Sequence, residues 1–84
     1  MYYVYILKDK ISNKLYIGYT SDLRRRLKEH KEKQTFTTKK GSYDLVYYEA
    51  YTSKVDAISR ERGIKDSGSV YMALKKRIKY SLGG

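Results

Sequence analysis

Two short segments near the N-terminus alternate between apolar or aromatic and other side chains. Residues 2–8 (YYVYILK) are rich in β-branched and aromatic side chains, and residues 15–20 (LYIGYT) repeat the pattern. Such alternation is typical of β-strands. Ser12-Asn13 between the two segments is a turn signal. The pattern therefore predicts a β-hairpin at the start of the chain.

The register of this hairpin decides which side chains share a face. Val4 and Ile6 lie on one side of the first strand, and Tyr5 lies on the other. A connecting loop with an even number of residues places Tyr5 and Tyr16 on the same face, whereas an odd loop or a bulge separates them. The sequence leaves both arrangements open.

The apolar spacing becomes helical after the hairpin. In SDLRRRLKEHKEK, Leu23 and Leu27 are four residues apart. At about 100° per residue, Arg26 and His30 project from the same side as these leucines. We therefore predict a first helix with one arginine directed toward the body of the protein. Polar residues able to start this helix are Thr20 or Ser21 as the cap, with Asp22 in the first turn.

A third strand is predicted over residues 43–51 (YDLVYYEAY), after a basic loop at residues 33–42. Simple alternation places Leu45 and Tyr47 on one face of this strand. Thr52 or Ser53 is predicted to start the second helix, so the strand is predicted to end there.

Two more helices complete the pattern. Ser53 and Asp56 approximate a capping box, and the apolar face of the helix that follows contains one carboxylate, Glu61. A turn at Gly68 precedes the last helix, and residues 81–84 are predicted to fray. The apolar positions of the last helix are Val70, Leu74 and Ile78.

The predicted order of elements is β-β-α-β-α-α. This order indicates the α+β class, with a small central, three-stranded, mainly antiparallel sheet flanked by helices. At 84 residues, we expect a single domain over residues 1–84.

Composition narrows the classes of function. The chain has no Cys, which excludes a disulfide framework and thiolate metal sites. It has no apolar run of the roughly 20 residues that a membrane-spanning helix needs, and its N-terminus does not resemble a signal peptide. We therefore expect a cytoplasmic protein without a membrane partner.

Charge and tyrosine content add a functional hint. Lys and Arg number 19 against 9 Asp and Glu, a net charge of +10, and 11 residues are Tyr. Such a surplus attracts polyanions, most commonly nucleic acid, although composition alone leaves a merely basic soluble protein open. Candidate phosphate-binding residues are Arg24, Arg25, Lys28, Lys31, Lys39 and Lys40.

Arg26 and Glu61 are charged residues on helix faces that are predicted to pack. Buried charges are costly unless they are paired or bind a metal, so mutual pairing or a place at the sheet rim is the simplest interpretation. With Tyr5 and Tyr16 on the neighbouring strands, however, the fold would bring two phenols, a guanidinium and a carboxylate to one end of the sheet. This set suits phosphodiester hydrolysis, which needs a carboxylate for a divalent cation and a guanidinium for phosphate charge.

The same residues carry a family resemblance. Tyr3-Val4-Tyr5 and Tyr16-Ile17-Gly18 resemble the two halves of the motif that names the GIY-YIG nuclease superfamily. The resemblance continues through RRRLKEH, LVYYEAY and SRERGIK, in order and over nearly the whole chain. The chain is most similar to the small stand-alone bacterial members, which consist of little beyond the nuclease core.

The resemblance implies a role for each matching residue. Tyr5 and Tyr16 match the family tyrosines, of which the first is often assigned as general base, and Arg26 matches the arginine that contacts the scissile phosphate. Glu61 matches the glutamate that holds one Mg²⁺ or Mn²⁺. His30 matches a supporting catalytic position. Two further positions carry weaker implications, Gly18 as a structural glycine beside the site and Lys14 as an aid to the base.

The function that follows is a metal-dependent endonuclease acting on DNA, in repair or recombination, with RNA left open as a substrate and a monomer expected. Two positions depart from the family pattern: Tyr3 replaces the first glycine, and the only Asn is Asn13, far from the late Asn common in the family. One alternative is a nucleic-acid-binding module with little or no catalysis on the same fold. Another is a protein-interaction domain with an incidental basic surface.

Overall fold

The computed structural model describes residues 1–37 and 43–83, with side chains described at residues 1–31 and 43–83. Within this part of the chain the sequence prediction of an α+β fold in the order β-β-α-β-α-α is confirmed. The elements are β1 (Tyr2–Asp9), β2 (Leu15–Thr20), α1 (Leu23–Thr37), β3 (Tyr43–Tyr51), α2 (Lys54–Asp66) and α3 (Gly68–Arg77). Helix α1 therefore continues into the segment that the sequence assigned to a loop.

The sheet has the order β2-β1-β3, with both neighbouring pairs antiparallel. Tyr5 lies opposite Gly18 and Leu7 lies opposite Tyr16, so Tyr5 and Tyr16 share a face. This is the even-loop arrangement of the two that the sequence left open. Strand β1 is central and its middle residues are buried, whereas β2 forms one edge of the sheet.

An irregularity in the pairing of β3 overturns the predicted alternation there. Tyr47 lies opposite Ile6, but Leu45, rather than Val46, lies opposite Leu7. The extra residue is a β-bulge, which resets the two-residue period of the strand. Leu45 and Tyr47 therefore lie on opposite faces, contrary to the prediction that they share one.

The hydrophobic core lies on the face of Val4 and Ile6, which α2 and α3 cover. It is built from Val4, Ile6, Ala57, Ile64, Leu74 and Ile78. The opposite face, which carries Tyr5, Leu7 and Gly18, is the one that Arg26 of α1 reaches. The two helical layers thus approach the sheet from opposite sides, and both can reach its β2 edge.

Side-chain caps begin α1 and α2. The carboxylate of Asp22 accepts a hydrogen bond from the backbone N–H of Arg25, so Asp22, and not Thr20 or Ser21, caps α1. The Ser53 hydroxyl accepts from the backbone N–H of Asp56, as predicted. Each cap satisfies a backbone donor that the helix itself leaves without a partner.

The C-terminal turn is tied to the sheet. The Lys8 Nζ donates to the backbone oxygen of Leu82 at 2.7 Å, and the Leu82 side chain packs against the core. These contacts contrast with the fraying that the sequence predicted from residue 81. No helix within residues 1–37 or 43–83 is long and apolar enough to cross a membrane.

A charged cluster fastens α2 to β3. The two carboxylate oxygens of Glu49 accept hydrogen bonds from Arg60 at 3.0 and 3.1 Å and from the hydroxyls of Tyr47 and Tyr51 at 2.5 Å each. Burial alone would raise the pKa of Glu49, but the hydrogen bonds from Arg60, Tyr47 and Tyr51 outweigh it and lower that pKa below its ordinary value of 4.5. Conversely, burial and the bond to Glu49 raise the pKa of Tyr47 to about 12.

Glu49→Gln should lower the free energy of unfolding at pH 7 by about 1.5–3 kcal/mol, because it removes charge-assisted hydrogen bonds from a half-buried cluster. The folded-state pKa of Glu49 is lowered, so its contribution is present above the unfolded-state pKa and is lost as pH falls through the folded-state value. Urea unfolding at pH 7 and at pH 2 should therefore show a difference between wild type and variant that shrinks in acid.

Asp44→Asn is the matched control for this prediction. Asp44 lies on the same strand and carries the same charge, but its ion pair with Lys10 is 3.6 Å long and more than half exposed on both sides. Exposed pairs contribute little, so its loss should cost under about 1 kcal/mol. If the two variants lose the same free energy of unfolding at pH 7, Glu49 does not stabilise the contact between α2 and β3.

Candidate active site

A cleft of about 270 Å³ lies at the β2 edge of the sheet, where α1 and α2 approach from opposite faces. The structure brings the five predicted catalytic residues and Gly18 together in its lining: Tyr5, Tyr16, Gly18, Arg26, His30 and Glu61. Leu7, Ile17, Tyr19 and Lys65 also line it. This arrangement is possible because β2 is an edge strand. Among the described residues no further strand pairs with its outer side, so side chains from the helices on both faces of the sheet can reach the same cleft there.

Arg26 connects α1 to the central strand. Its Nε donates to the hydroxyl oxygen of Tyr5 at 3.3 Å, and its Nη1 lies 3.2 Å from a carboxylate oxygen of Glu29. The bond to Tyr5, and then the one to Glu29, raise the pKa of Arg26 above its ordinary value. The guanidinium therefore stays charged and is held by two partners. Because the Tyr5 oxygen accepts from Arg26, its own hydroxyl hydrogen can be directed elsewhere in the cleft.

Gly18 leaves room for the Tyr5 ring. A Cβ atom on Gly18 would overlap the Cζ and hydroxyl oxygen of Tyr5 and would lie 2.9 Å from Cε2. The Tyr5 side chain thus leans across β2, and it is only 4% exposed. The glycine is required here by close approach, which is the structural role that the family resemblance implied.

Tyr16 stands at the open side of the cleft and is 43% exposed. The Tyr43 ring contacts it edge-on, with ring centroids 5.2 Å apart. A hydrogen bond with Tyr16, followed by burial, raises the pKa of Tyr43 above its ordinary value. His30 lies between them and Tyr5, with its ring 6.4 Å from Tyr5 and 6.3 Å from Tyr43.

Glu61 enters the cleft from α2. Its side chain is 21% exposed and its carboxylate forms an ion pair with Lys65 at 3.2 Å. Arg26 and Glu61 therefore pair with other residues and not with each other, so the mutual pairing that the sequence suggested is wrong. Both lie at the β2 edge of the sheet, in keeping with the other interpretation, a place at the sheet rim. Arg60, the residue before Glu61, is engaged by Glu49.

The donor set fits a magnesium-like ion. Glu61 is the only carboxylate among the described residues that line the cleft, and no group of three His, Cys, Asp or Glu side chains gathers within residues 1–31 and 43–83. Mg²⁺ keeps several waters and binds through one or two carboxylates plus substrate phosphates. A single glutamate in one cleft with an arginine that could bind a phosphate is consistent with this mode of coordination.

The other predicted residues lie outside the cleft. Lys14 lines a neighbouring groove, so the structure does not bring it to the tyrosines as the resemblance suggested. The arginines and lysines of α1 that were predicted to bind nucleic acid are exposed: Arg24, Arg25, Lys28 and Lys31. Lys39 and Lys40 lie outside the described residues.

Sequence reasoning missed three residues around the site. Glu29 and Lys65 lie three and four positions after the side chains they hold, a spacing at which helical charges meet, so a scan for such pairs would have found both. Tyr43 follows an undescribed segment and reaches Tyr16 only because β3 folds back beside β1. No local signal marks it.

Comparisons with known proteins all point to one family. The sequence profile of the GIY-YIG catalytic domain matches residues 1–72. A UPF0213 protein of Clostridium perfringens is 43% identical over 67 residues, covering 77% of this chain and 71% of the relative. A UPF0213 protein of Haloquadratum walsbyi is 38% identical over 66 residues, covering 76% and 73%. The solution NMR structure of a UPF0213 protein from Bacillus halodurans has a TM-score of 0.55 at 36% identity, covering 100% of this chain and 87% of that one.

Proposed function

Because the chain belongs to the GIY-YIG family, a family of nucleases, we propose that it is a metal-dependent endonuclease that hydrolyses phosphodiester bonds in DNA, in repair or recombination. The observation that supports this proposal most is the meeting of the Arg26–Tyr5 pair and the Glu61 carboxylate in one cleft. They come from three elements and two faces of the sheet, a convergence that packing alone does not require.

Arg26 binds the scissile phosphate in this proposal. Its Nε and Nη1 hold Tyr5 and Glu29, which leaves the Nη2 group to donate to phosphate oxygens. Two partners restrict the rotamers of the side chain, so little entropy is lost when phosphate binds. A guanidinium fixed in advance stabilises the charge of the transition state without reorganisation.

Tyr5 and Tyr16 are proposed to transfer protons, Tyr5 from the attacking water and Tyr16 to the departing oxygen. Tyr5 accepts a hydrogen bond from the Arg26 guanidinium, whose charge favours the phenolate form of Tyr5. Tyr5 first gives up its own hydroxyl hydrogen to solvent, and the phenolate oxygen then takes the proton of the attacking water, as the general base that the family resemblance implies. Tyr16 stands at the open side of the cleft, where its hydroxyl can donate to the departing oxygen. His30 packs edge-on against Tyr5 and limits the movement of its ring.

Glu61 would hold one Mg²⁺ or Mn²⁺, with waters and phosphate oxygens completing the coordination. The chemistry that such a cation supplies when bound is Lewis-acid polarisation of a phosphate oxygen. Lys65, whose half-exposed side chain pairs with Glu61, would then be free to contact the phosphates.

The proposal is tested by incubating the protein with flapped, branched, nicked and plain duplex DNA, and with matching RNA, in Mg²⁺, Mn²⁺ or EDTA. We expect cleavage of DNA that depends on the cation. Salt-sensitive binding without cleavage of any substrate would overturn the catalytic part and favour a binding module on the nuclease fold. Absence of any binding at moderate salt would overturn both.

Lys65→Met should raise the affinity of the protein for Mn²⁺ about three- to tenfold, because it removes a positive charge 3.2 Å from the proposed ligand. The measurement is free Mn²⁺ by electron paramagnetic resonance at low ionic strength, which needs no activity. Lys54→Met is the control, since Lys54 is an exposed lysine at the start of the same helix. Equal affinities for the two variants would argue against metal binding at Glu61.

A further inference from the structure

Two grooves continue from the catalytic cleft along the β2 edge. The first, of about 420 Å³, shares Tyr16, Ile17 and Lys65 with the cleft and extends to Tyr71 of α3. The second, of about 550 Å³, shares Leu15 and Tyr71 with the first. Shared lining residues make the three depressions neighbours in one continuous path, which we call the edge track.

The edge track is cationic. Lys65 lies at the point where the track leaves the cleft, and Lys14 and Lys75 line the far end of the track. Lys75 is positioned by Tyr71, with its Nζ 5.4 Å from the ring centroid. Lys8 also lines the far end, although its ammonium is tied to the Leu82 carbonyl. Among the described residues that line the two grooves there is no carboxylate.

The floor of the track is apolar and aromatic. Leu15 and Ile17 of β2 form part of it, and the rings of Tyr16 and Tyr71 stand along it. Exposed base faces pack on such surfaces, whereas a duplex would present only phosphates and groove edges. A single-stranded nucleic acid presents phosphates on one side and bases on the other. The lysines therefore suit its phosphates, and the apolar, aromatic floor suits its bases.

The basic surface of α1 is less suited to this role. Arg25 and Arg26 both lie close to Glu29, at 3.9 and 3.2 Å. Arg24 lines a groove that also contains Asp22. Carboxylates thus offset the positive charge on the α1 side. On the edge track Lys65 is paired with Glu61 of the cleft, but no carboxylate is among the described residues that line the two grooves beyond it.

We propose that the edge track binds a single-stranded segment of DNA that continues from the phosphate in the cleft. This inference rests on the proposed nuclease function and adds the path of the strand: from Tyr16 past Lys65 and Tyr71 to Lys14 and Lys75. The preferred substrate is then DNA with an unpaired segment next to the cleaved bond, such as a flap.

The test compares two double variants of equal charge. Lys14→Gln with Lys75→Gln removes two lysines of the track, one from the loop before β2 and one from α3. Lys54→Gln with Lys76→Gln removes two exposed lysines outside the track, one from α2 and one from α3. Binding of a fluorescent single-stranded oligonucleotide is measured in EDTA over a range of salt concentrations. Each lost phosphate contact should make the slope of log K against log salt shallower by about 0.7.

We expect a slope shallower by about 1.4 for the track variant and little change for the control. We also expect wild type to bind a duplex with a single-stranded extension more tightly than the blunt duplex, and the track variant to lose that preference. Equal slopes for the two variants would overturn the inference even if wild type cuts DNA. Conversely, the expected slopes without any cleavage would uphold the track and overturn only the catalytic proposal.

Discussion

Replacing Glu61 by glutamine should lower the rate of metal-dependent DNA cleavage by about 10³. The amide keeps the shape of the side chain but removes the charge that would hold the cation, and a metal acting as Lewis acid supplies several kcal/mol of transition-state stabilisation. Binding should not weaken, because the variant gains one unit of positive charge and frees Lys65. Single-turnover cleavage of a flapped DNA at saturating protein measures the effect.

Asp66→Asn is the matched control for Glu61→Gln. Asp66 is an exposed carboxylate at the end of the same helix, so its replacement changes the net charge by the same amount at a point outside the cleft. Its cleavage rate should stay within about twofold of wild type, as expected of a surface change that touches no part of the site. Comparable rates for wild type and Glu61→Gln would refute the role of Glu61 as the metal ligand.

Gly18→Ala should lower cleavage by about 10² and destabilise the fold by about 1–3 kcal/mol. The added Cβ overlaps the Tyr5 ring, which is buried and hydrogen-bonded to Arg26, so the ring must move. Overpacking of a buried side chain has this cost in stability, and displacement of a reacting group by about 1 Å costs about this much in rate. Thermal unfolding and single-turnover cleavage of the same preparation measure the two effects.

Gly63→Ala separates this close approach from the general effect of replacing a glycine. A Cβ on Gly63 meets nothing within 4 Å, and the residue lies inside α2. Alanine should therefore stabilise the fold by about 0.5–1 kcal/mol and leave cleavage unchanged. The interpretation of Gly18 fails if Gly18→Ala is as stable and as active as Gly63→Ala.

Much of the fold was predictable because its signals are local. Alternation placed β1 and β2, and leucines four residues apart placed α1. The predicted cap of α2 at Ser53 is confirmed. The face of Leu45 was wrong, since a bulge depends on how β3 pairs with β1 and leaves no mark in the strand itself. The contact of Leu82 with the core was missed for the same reason: its partner, Lys8, lies at the other end of the chain.

The site divides in a similar way. The sequence pointed to four catalytic candidates: Tyr5, Tyr16, Arg26 and Glu61. Burial of a charged or phenolic side chain is costly unless the group has a partner or a function, so these side chains on predicted packing faces called for an explanation. The structure brings them to one cleft. Their catalytic roles stay predictions until cleavage is measured. The partners that hold them were not foreseen, although Glu29 and Lys65 lie at helical spacing from Arg26 and Glu61.

The sequence by itself determined the order of the elements, the family and the residue types available for chemistry, because periodicity and motif order are properties of the chain. Only the tertiary structure decided that Glu61, from the helix on the core side of the sheet, lines the same cleft as Arg26, from the helix on the other side. It alone showed that the lysines of β2's loop and α3 line one path. The reason is physical: an edge strand exposes its side to both layers, and which strand becomes the edge depends on pairing between distant segments.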